Sequence, residues 1–183
     1  MAINERELWP ILGTEPKETI IIDDPQHRLI RKNGMVEHGV TTMKAGHLAK
    51  NINTVYSNGL DLASANYGST SEENTLKAIE IIRTSQYFSG NYGNKETAHG
   101  EDTPCHYYDL YKGVKFWARC DNKTFAVNAK LKCAANGLVD AVGDPDGAAI
   151  DMSAFTLKVL KAIAGANWVA VEFEDKNSFD NTA

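Results

Sequence analysis

The stretch from His106 to Cys120 concentrates side chains that could do chemistry. It contains aromatic rings, an imidazole and several cations, and the polar loop before it adds His99 and Glu101. Metal-free RNA cleavage needs a group that takes the 2′-hydroxyl proton, a group that protonates the leaving oxygen, and a cation that stabilises the charged phosphorane. The pattern therefore indicates a metal-independent ribonuclease-like site with His99, Glu101, His106 and Arg119 as catalytic residues.

Strand alternation predicts a surface on which such a site would lie. If residues 114–120 form a strand, Lys115, Trp117 and Arg119 share one face, and Lys130 of the next strand joins them. Together with Tyr107, the residues Lys115, Trp117 and Lys130 are predicted to bind substrate. The alternative is that His106 and the tyrosines pack within the sheet, while Lys115 and Arg119 are solvated on its outer face.

Length and composition favour one ordinary globular domain over residues 1–183. The net charge of −5 argues against broad, charge-driven binding of nucleic acid but allows a local basic groove. Three cysteines without a CxxC pair indicate reduced thiols and no structural zinc. The N-terminus lacks a signal-peptide pattern and the apolar runs are short, so we expect a soluble cytoplasmic protein without membrane contact.

The expected fold is α+β, with an antiparallel sheet packed by about three helices. The sheet combines an N-terminal hairpin with a central β-meander. The hairpin turns at Asn33-Gly34, because both central positions of a type I′ turn need positive φ. The elements predicted along the chain are meander strands at 106–111, 114–120 and 124–131, helices at 42–60, 70–88 and 151–164, a long polar loop at 89–104, and a flexible tail at 175–183.

No motif in the sequence predicts a cofactor or a metal ion. The Asn-Gly segment carries His27, Glu37 and His38, but their spacing about the turn makes them two surface histidines with a neighbouring acid. His47 is expected on the polar face of the helix at 42–60. Glycine-rich phosphate loops and the GxSxG elbow are absent from the sequence.

The segment Leu76-Lys77-Ala78-Ile79-Glu80, followed by a loop and then by residues 106–116, resembles a pattern in phage and mobile-element proteins. The family is the small nuclease-like domains grouped with barnase, EndoU, colicins and RelE toxins. The resemblance covers residues 70–132 and implies helices that precede a curved, RNA-holding antiparallel sheet. It also implies His99 or Glu101 as the base, His106 as the acid and Arg119 as the phosphate clamp.

Three alternatives to RNA cleavage remain open from the sequence. The chain could bind RNA without cleaving it, or act as a non-enzymatic inhibitor of a host defence complex through aromatics such as Tyr107 and Trp117, because aromatics are enriched at interface hot spots. It could also be a structural subunit of a phage particle, and the sequence is compatible with a homo-oligomer. Convergence of His99, His106 and Arg119 in a cleft would favour the enzyme.

Overall fold

The computed structural model describes residues 13–52, 54–63, 76–82, 95–141 and 155–175. These ranges contain strands and one 3-10 turn, Ala135–Gly137, but no α-helix. The strands are β1 (Ile21–Asp23), β2 (Lys32–Val36), β3 (Leu48–Asn51), β4 (Gly59–Leu62), β5 (Lys77–Ile79), β6 (Pro104–Asp109), β7 (Lys115–Lys123), β8 (Lys130–Cys133), β9 (Val139–Ala141), β10 (Phe155–Lys161) and β11 (Ala166–Asp175). The predicted α+β class is therefore wrong.

The strands form two bodies. One is a closed barrel in the order β2-β4-β3-β5-β6, in which β2 and β4 run parallel and the other pairs are antiparallel. The other is a six-stranded antiparallel sheet in the order β1-β7-β11-β10-β8-β9. Along the chain, β1 belongs to the sheet, β2 to β6 form the barrel, and β7 to β11 complete the sheet.

The central meander is wrong in its pairing, although two of its strands exist. The turn at Lys112-Gly113 is present, with Gly113 at φ 91°, but it carries the chain from the barrel into the sheet. β6 pairs with β2 and β5, whereas β7 pairs with β1 and β11. The third meander strand, expected at 124–131, begins only at Lys130 and pairs with β9 and β10.

The Asn33-Gly34 hairpin is also wrong. Both residues lie inside β2, opposite His106 and Cys105 of β6. A Cβ atom at Gly34 would lie 2.8 Å from Cδ1 of Leu60. The glycine therefore serves close packing inside the barrel, and a turn is not needed to explain it.

The three predicted helices are wrong in the described residues, which form strands and turns there. β3 and the start of β4 fall in 42–60, β5 lies within 70–88, and β10 lies within 151–164. In β3, Leu48 packs in the core between barrel and sheet, while its neighbour Ala49 packs in the barrel interior. Strands buried on both faces lose the alternation that identifies them, so their apolar spacing mimics that of a helix.

In β10 an irregularity adds to this effect. Its pairing with β11 shifts register between Val159 and Lys161, and Leu157 and Leu160 are both buried. A bulge of this kind produces the i, i+3 spacing that predicted a helix.

Two strand predictions agree with the structure. The β-branched run at Thr19 leads into β1, and the predicted final strand, Trp168 to Phe173, lies inside β11. The loop expected at 89–104 is described from residue 95 onward, and β6 begins at Pro104. The rest of that loop and the tail beyond residue 175 lie outside the described residues.

Two backbone residues, Ile20 and Gly46, fasten the sheet to the barrel. Gly46 donates its N–H to the carbonyl of Ile79 at 2.8 Å and accepts from the N–H of Arg119 at 3.0 Å. Ile20 accepts from the N–H of Trp117 at 2.8 Å and donates to Oε1 of the fully buried Glu80 at 3.1 Å. Alternate residues of β7 are thereby linked to the end of β5, and we call this arrangement the seam.

Gly46 is required at the seam for its size as well as its backbone conformation. It adopts φ +78°, and a Cβ atom there would lie 2.3 Å from Cζ3 of Trp168. Gly39 has a similar φ of +87°, but a Cβ atom there would meet nothing within 4 Å. A comparison of substitutions at Gly46 and Gly39 therefore separates the cost of backbone strain from the cost of steric overlap.

We expect Gly46→Ala to lower the free energy of unfolding by about 2–5 kcal/mol, because strain and overpacking add. Gly39→Ala should cost only the strain, about 1–2 kcal/mol. Urea unfolding of both variants measures the difference. Equal losses in the two variants would show that the Trp168 contact does not restrict position 46.

Candidate functional site

Arg119 is held in the seam by three hydrogen bonds and a contact with an aromatic ring. Its Nε donates to the carbonyl of Ala45 at 2.7 Å, and its Nη2 donates to the carbonyl of Lys95 at 2.6 Å and to Oε2 of Glu96 at 2.9 Å. The guanidinium lies 4.3 Å from the ring centre of Trp168, its partner across β7 and β11. The side chain is only 6% exposed. These contacts give Arg119 a packing role in the described structure.

The face of β7 that carries Arg119 is therefore not an outer polar surface. Trp117, on the same face, is 4% exposed and belongs to the core between barrel and sheet. At the start of the strand, Lys115 is half-buried and pairs with Asp23 at 2.7 Å. The alternative in which Lys115 and Arg119 are solvated on an outer face is therefore wrong for Arg119, and the substrate-binding roles of Lys115 and Trp117 stay predictions.

The other two residues expected to bind substrate lie in different environments. Tyr107 is in the barrel interior, where burial raises the pKa of its hydroxyl and the ammonium of Lys77 lies 5.4 Å from its ring centre. Lys130 belongs to β8 and forms an ion pair with Glu174 of β11. Tyr107 in the barrel and Lys130 in the sheet thus do not extend one face of one sheet, and the role of each in substrate binding stays a prediction.

His99 precedes β6 and His106 lies within it, and the charge of His106 acts on His99. His99 is 6% exposed and donates its backbone N–H to the carbonyl of Met43 at 2.7 Å. Burial lowers the pKa of its imidazole, the carbonyls of Glu80 and Pro104 oppose this shift, and the charge of His106 adds to it. A histidine with a lowered pKa is neutral at pH 7, so it could accept a proton but is a poor proton donor.

Each of these imidazoles keeps one ring nitrogen buried without a hydrogen-bond partner among the described residues, Nε2 in His99 and Nδ1 in His106. His106 belongs to β6 and is half-buried opposite Asn33. A charge interaction links the two histidines, whereas the contacts of Arg119 involve Ala45, Lys95, Glu96 and Trp168. The acid, base and clamp roles stay predictions.

His47 is the buried histidine beside Arg119. Its Nδ1 accepts from the N–H of Lys44 at 3.2 Å. Burial lowers its pKa to about 3, and the charges of Arg119 and Lys44 act in the same direction. The sequence had indicated a polar helix face here, but His47 precedes β3 and is 7% exposed.

His47 and Arg119 line one of two neighbouring cavities. The cavity that they line has a volume of about 390 Å³ and also contains Lys44 and Asp121. A second cavity of about 410 Å³ lies on the other side of residues 41–42, which line both. A ligand here would meet hydroxyls, amides and charges of both signs, an arrangement that selects no particular chemistry.

Glu101 lies in a different cluster, which sequence reasoning missed. Its Oε2 is 3.6 Å from Nδ1 of His38, and Oδ2 of Asp102 is 3.1 Å from the same nitrogen. Tyr56 donates its hydroxyl to Oδ1 of Asp102 at 2.9 Å, and Gly39 donates its N–H to Oε2 of Glu101 at 2.7 Å. His38 follows β2 and the two acids precede β6, so the pairing of β2 with β6 brings them together.

The charges in this cluster influence one another. The hydrogen bond and charge of Asp102, with the charge of Glu101, raise the pKa of His38. The hydrogen bonds from His38 and Tyr56 lower the pKa of Asp102. All three side chains of the metal-ligating type, His38, Glu101 and Asp102, are exposed to solvent.

We expect Arg119→Lys to lower the free energy of unfolding by about 2–4 kcal/mol, because the charge remains while the acceptors fixed around the guanidinium lose their donors. Arg28→Lys is the matched control, since Arg28 is exposed and lies 5.6 Å from the ring centre of Tyr111. That change should cost less than about 0.5 kcal/mol. Urea unfolding compares them, and similar small losses would contradict a seam role for Arg119.

A pH dependence follows from His47. The unfolded chain binds a proton at this residue below about pH 6.5, whereas the folded chain binds it only near pH 3. Stability is therefore lost as the pH falls through this window, by up to about 1.4 kcal/mol per pH unit.

Between pH 7 and pH 5 we expect His47 to account for about 2 kcal/mol of lost stability. His47→Asn keeps an acceptor near the position of Nδ1 and should remove this part of the loss. Urea unfolding at both pH values measures it, with His27→Asn as a control at an exposed position. An unchanged pH dependence in His47→Asn would contradict the assignment.

Comparisons with known proteins leave the family open. No protein-family model matches the chain, and no curated protein matches it. Among solved structures, the chain is similar to the N base of the head fiber gp8.5 of bacteriophage phi29, with 9% identity, 80% of this chain and 94% of that chain covered, and a TM-score of 0.47. At this identity and TM-score the similarity does not assign a function. Within the described residues, no helix has the length and apolar character needed to cross a membrane.

Proposed function

We propose that this chain is a non-enzymatic structural protein that works by assembling with further copies of itself. The main observation in favour of a non-enzymatic role is the burial and hydrogen bonding of Arg119. Its Nε and Nη2 donate to three acceptors, its face covers Trp168, and its side chain is almost fully buried. A phosphate clamp needs donors that can reach the substrate, and this guanidinium is committed to fastening the seam.

The histidines support the same proposal. The pKa values of His47 and His99 are lowered by burial, so each imidazole is a weaker proton acceptor than an ordinary histidine. Glu101, proposed from the sequence as a base, accepts from the N–H of Gly39 and lies beside His38. The groups that sequence reasoning placed in one catalytic constellation have separate partners.

The assembly part is supported by the architecture and the charge. The seam joins barrel and sheet through backbone hydrogen bonds and a shared core, which makes a stiff building block. The net charge of −5 over 183 residues is mild enough that repulsion between copies does not oppose their contact. The phage-particle and host-inhibitor alternatives are both non-enzymatic, and they differ in the partner.

The enzymatic alternative is tested by incubating the purified chain with single-stranded RNA in EDTA. We expect no cleavage above that of buffer. Cleavage that disappears in His106→Ala would overturn the non-enzymatic proposal, because it would assign the reaction to this chain.

Assembly is tested by size-exclusion chromatography with light scattering over a hundredfold range of protein concentration. We expect a discrete species larger than the 20.1 kDa chain. A monomer at every concentration would overturn self-assembly. Gly39→Ala is the control, because it should lose some stability and still fold. A change in its mass would show the effect of lost stability alone.

A further inference from the structure

The cluster of His38, Glu101 and Asp102 at the rim of the barrel has the composition of a metal site. One nitrogen and two carboxylate oxygens, each from a different side chain, lie within 4.8 Å of one another. Imidazole and carboxylate together are ligands of zinc and related transition metals, whereas calcium and magnesium prefer oxygen alone. The site has no local sequence pattern, because the acids are more than sixty positions away from His38.

The spacing of the donor atoms fits one ion. Tetrahedral zinc binds nitrogen and oxygen at about 2.0–2.2 Å, which places neighbouring ligand atoms about 3.4 Å apart. Nδ1 of His38 lies 3.1 Å from Oδ2 of Asp102 and 3.6 Å from Oε2 of Glu101. Both separations are close to that spacing, and all three donor atoms lie within 4.8 Å of one another.

Neighbouring groups orient two of these ligands. The hydroxyl of Tyr56 binds Oδ1 of Asp102 and leaves Oδ2 directed towards His38. The N–H of Gly39 binds Oε2 of Glu101. Hydrogen bonds of this kind fix the rotamers of metal ligands and reduce the entropy lost when an ion binds.

The residue before His38 is a buried carboxylate that binds the segment carrying Tyr56. Glu37 is 3% exposed, and its Oε1 accepts from the N–H of Val55 at 2.5 Å. Its Oε2 is buried without a hydrogen-bond partner among the described residues. A Cβ atom at Gly59 would lie 1.9 Å from this Oε2, so the carboxylate lies against β4. Glu37 thus anchors the segment that carries Tyr56, whose hydroxyl binds Asp102.

We propose that His38 Nδ1, Glu101 Oε2 and Asp102 Oδ2 bind one Zn²⁺ ion or a similar divalent transition metal, with water completing the coordination. The ion lies between the imidazole and the two carboxylates, where the three donor atoms converge. It also links the turn after β2 to the turn before β6, which fastens the rim of the barrel. This site goes beyond the proposed structural function and does not depend on it.

The test is calorimetric titration of the full chain, freed of metal by EDTA and dialysed, with zinc chloride at pH 7.5. We expect one ion per chain and a rise in the midpoint of thermal unfolding when zinc is present. His38→Ala and Glu101→Gln should each weaken binding at least tenfold, because each removes one ligand or its charge. His27→Ala, which removes another exposed histidine, should bind as tightly as the wild type.

Three results would overturn the proposal. The first is binding that is equal in His38→Ala and His27→Ala, since it would locate the ion elsewhere or make it nonspecific. The second is the absence of measurable zinc binding to a wild-type chain with an intact circular dichroism spectrum. The third is binding of calcium or magnesium as tight as that of zinc, which would exclude a site with a nitrogen ligand. His38 is 69% exposed in its side chain, so its loss should not unfold the variant.

Discussion

The seam between barrel and sheet is the constraint on which the rest of the structure depends. Gly46 and Ile20 each bond to β7 with one backbone group and to the end of β5 with the other. Arg119 reinforces this line through its side chain, and Trp168 covers it. Because the two bodies share a core across the seam, a change there would affect both of them.

The first and last strands along the chain, and most of β6 and β7, could be predicted from the sequence, whereas β3 and β5 could not. β1 and β11 have β-branched or alternating residues that identify a strand. β3 and β5 lie between two cores, so Leu48 and Ala49, or Ala78 and Ile79, are buried side by side. Burial on both faces removes the period of two from the sequence, and a helix is then the natural but wrong interpretation.

Which strands pair with each other was harder to predict than where the strands lie. The turn at Lys112-Gly113 has the chemistry of a tight connection, and local reasoning joins the strands on either side of it. The structure instead sends β6 to β2 and β7 to β11, both distant in sequence. The cations and aromatic rings on one face of β7 predicted a surface that binds substrate. In the structure Arg119 is buried, and a buried arginine needs many hydrogen-bond acceptors. Their contacts show that the acceptors come from the protein itself.

The cluster of His38, Glu101 and Asp102 also could not be predicted without knowing which strands pair. His38 looked like a surface histidine, and Glu101 was singled out for its place near His99 rather than for its actual neighbour. Only the register of β2 against β6 brings Glu101 and Asp102 to His38. A site made by strand pairing becomes visible once the pairing is known.

Closure of the barrel has a consequence for the order of folding. β2 pairs with β4 in parallel, with β3 in between along the chain, and its other edge pairs with β6 about seventy positions later. Such distant contacts require the entropy of a long loop to be lost before any of them forms. We therefore expect the antiparallel pairs β3–β4 and β10–β11 to form early, and the ring to be completed late, on a timescale of roughly milliseconds to seconds.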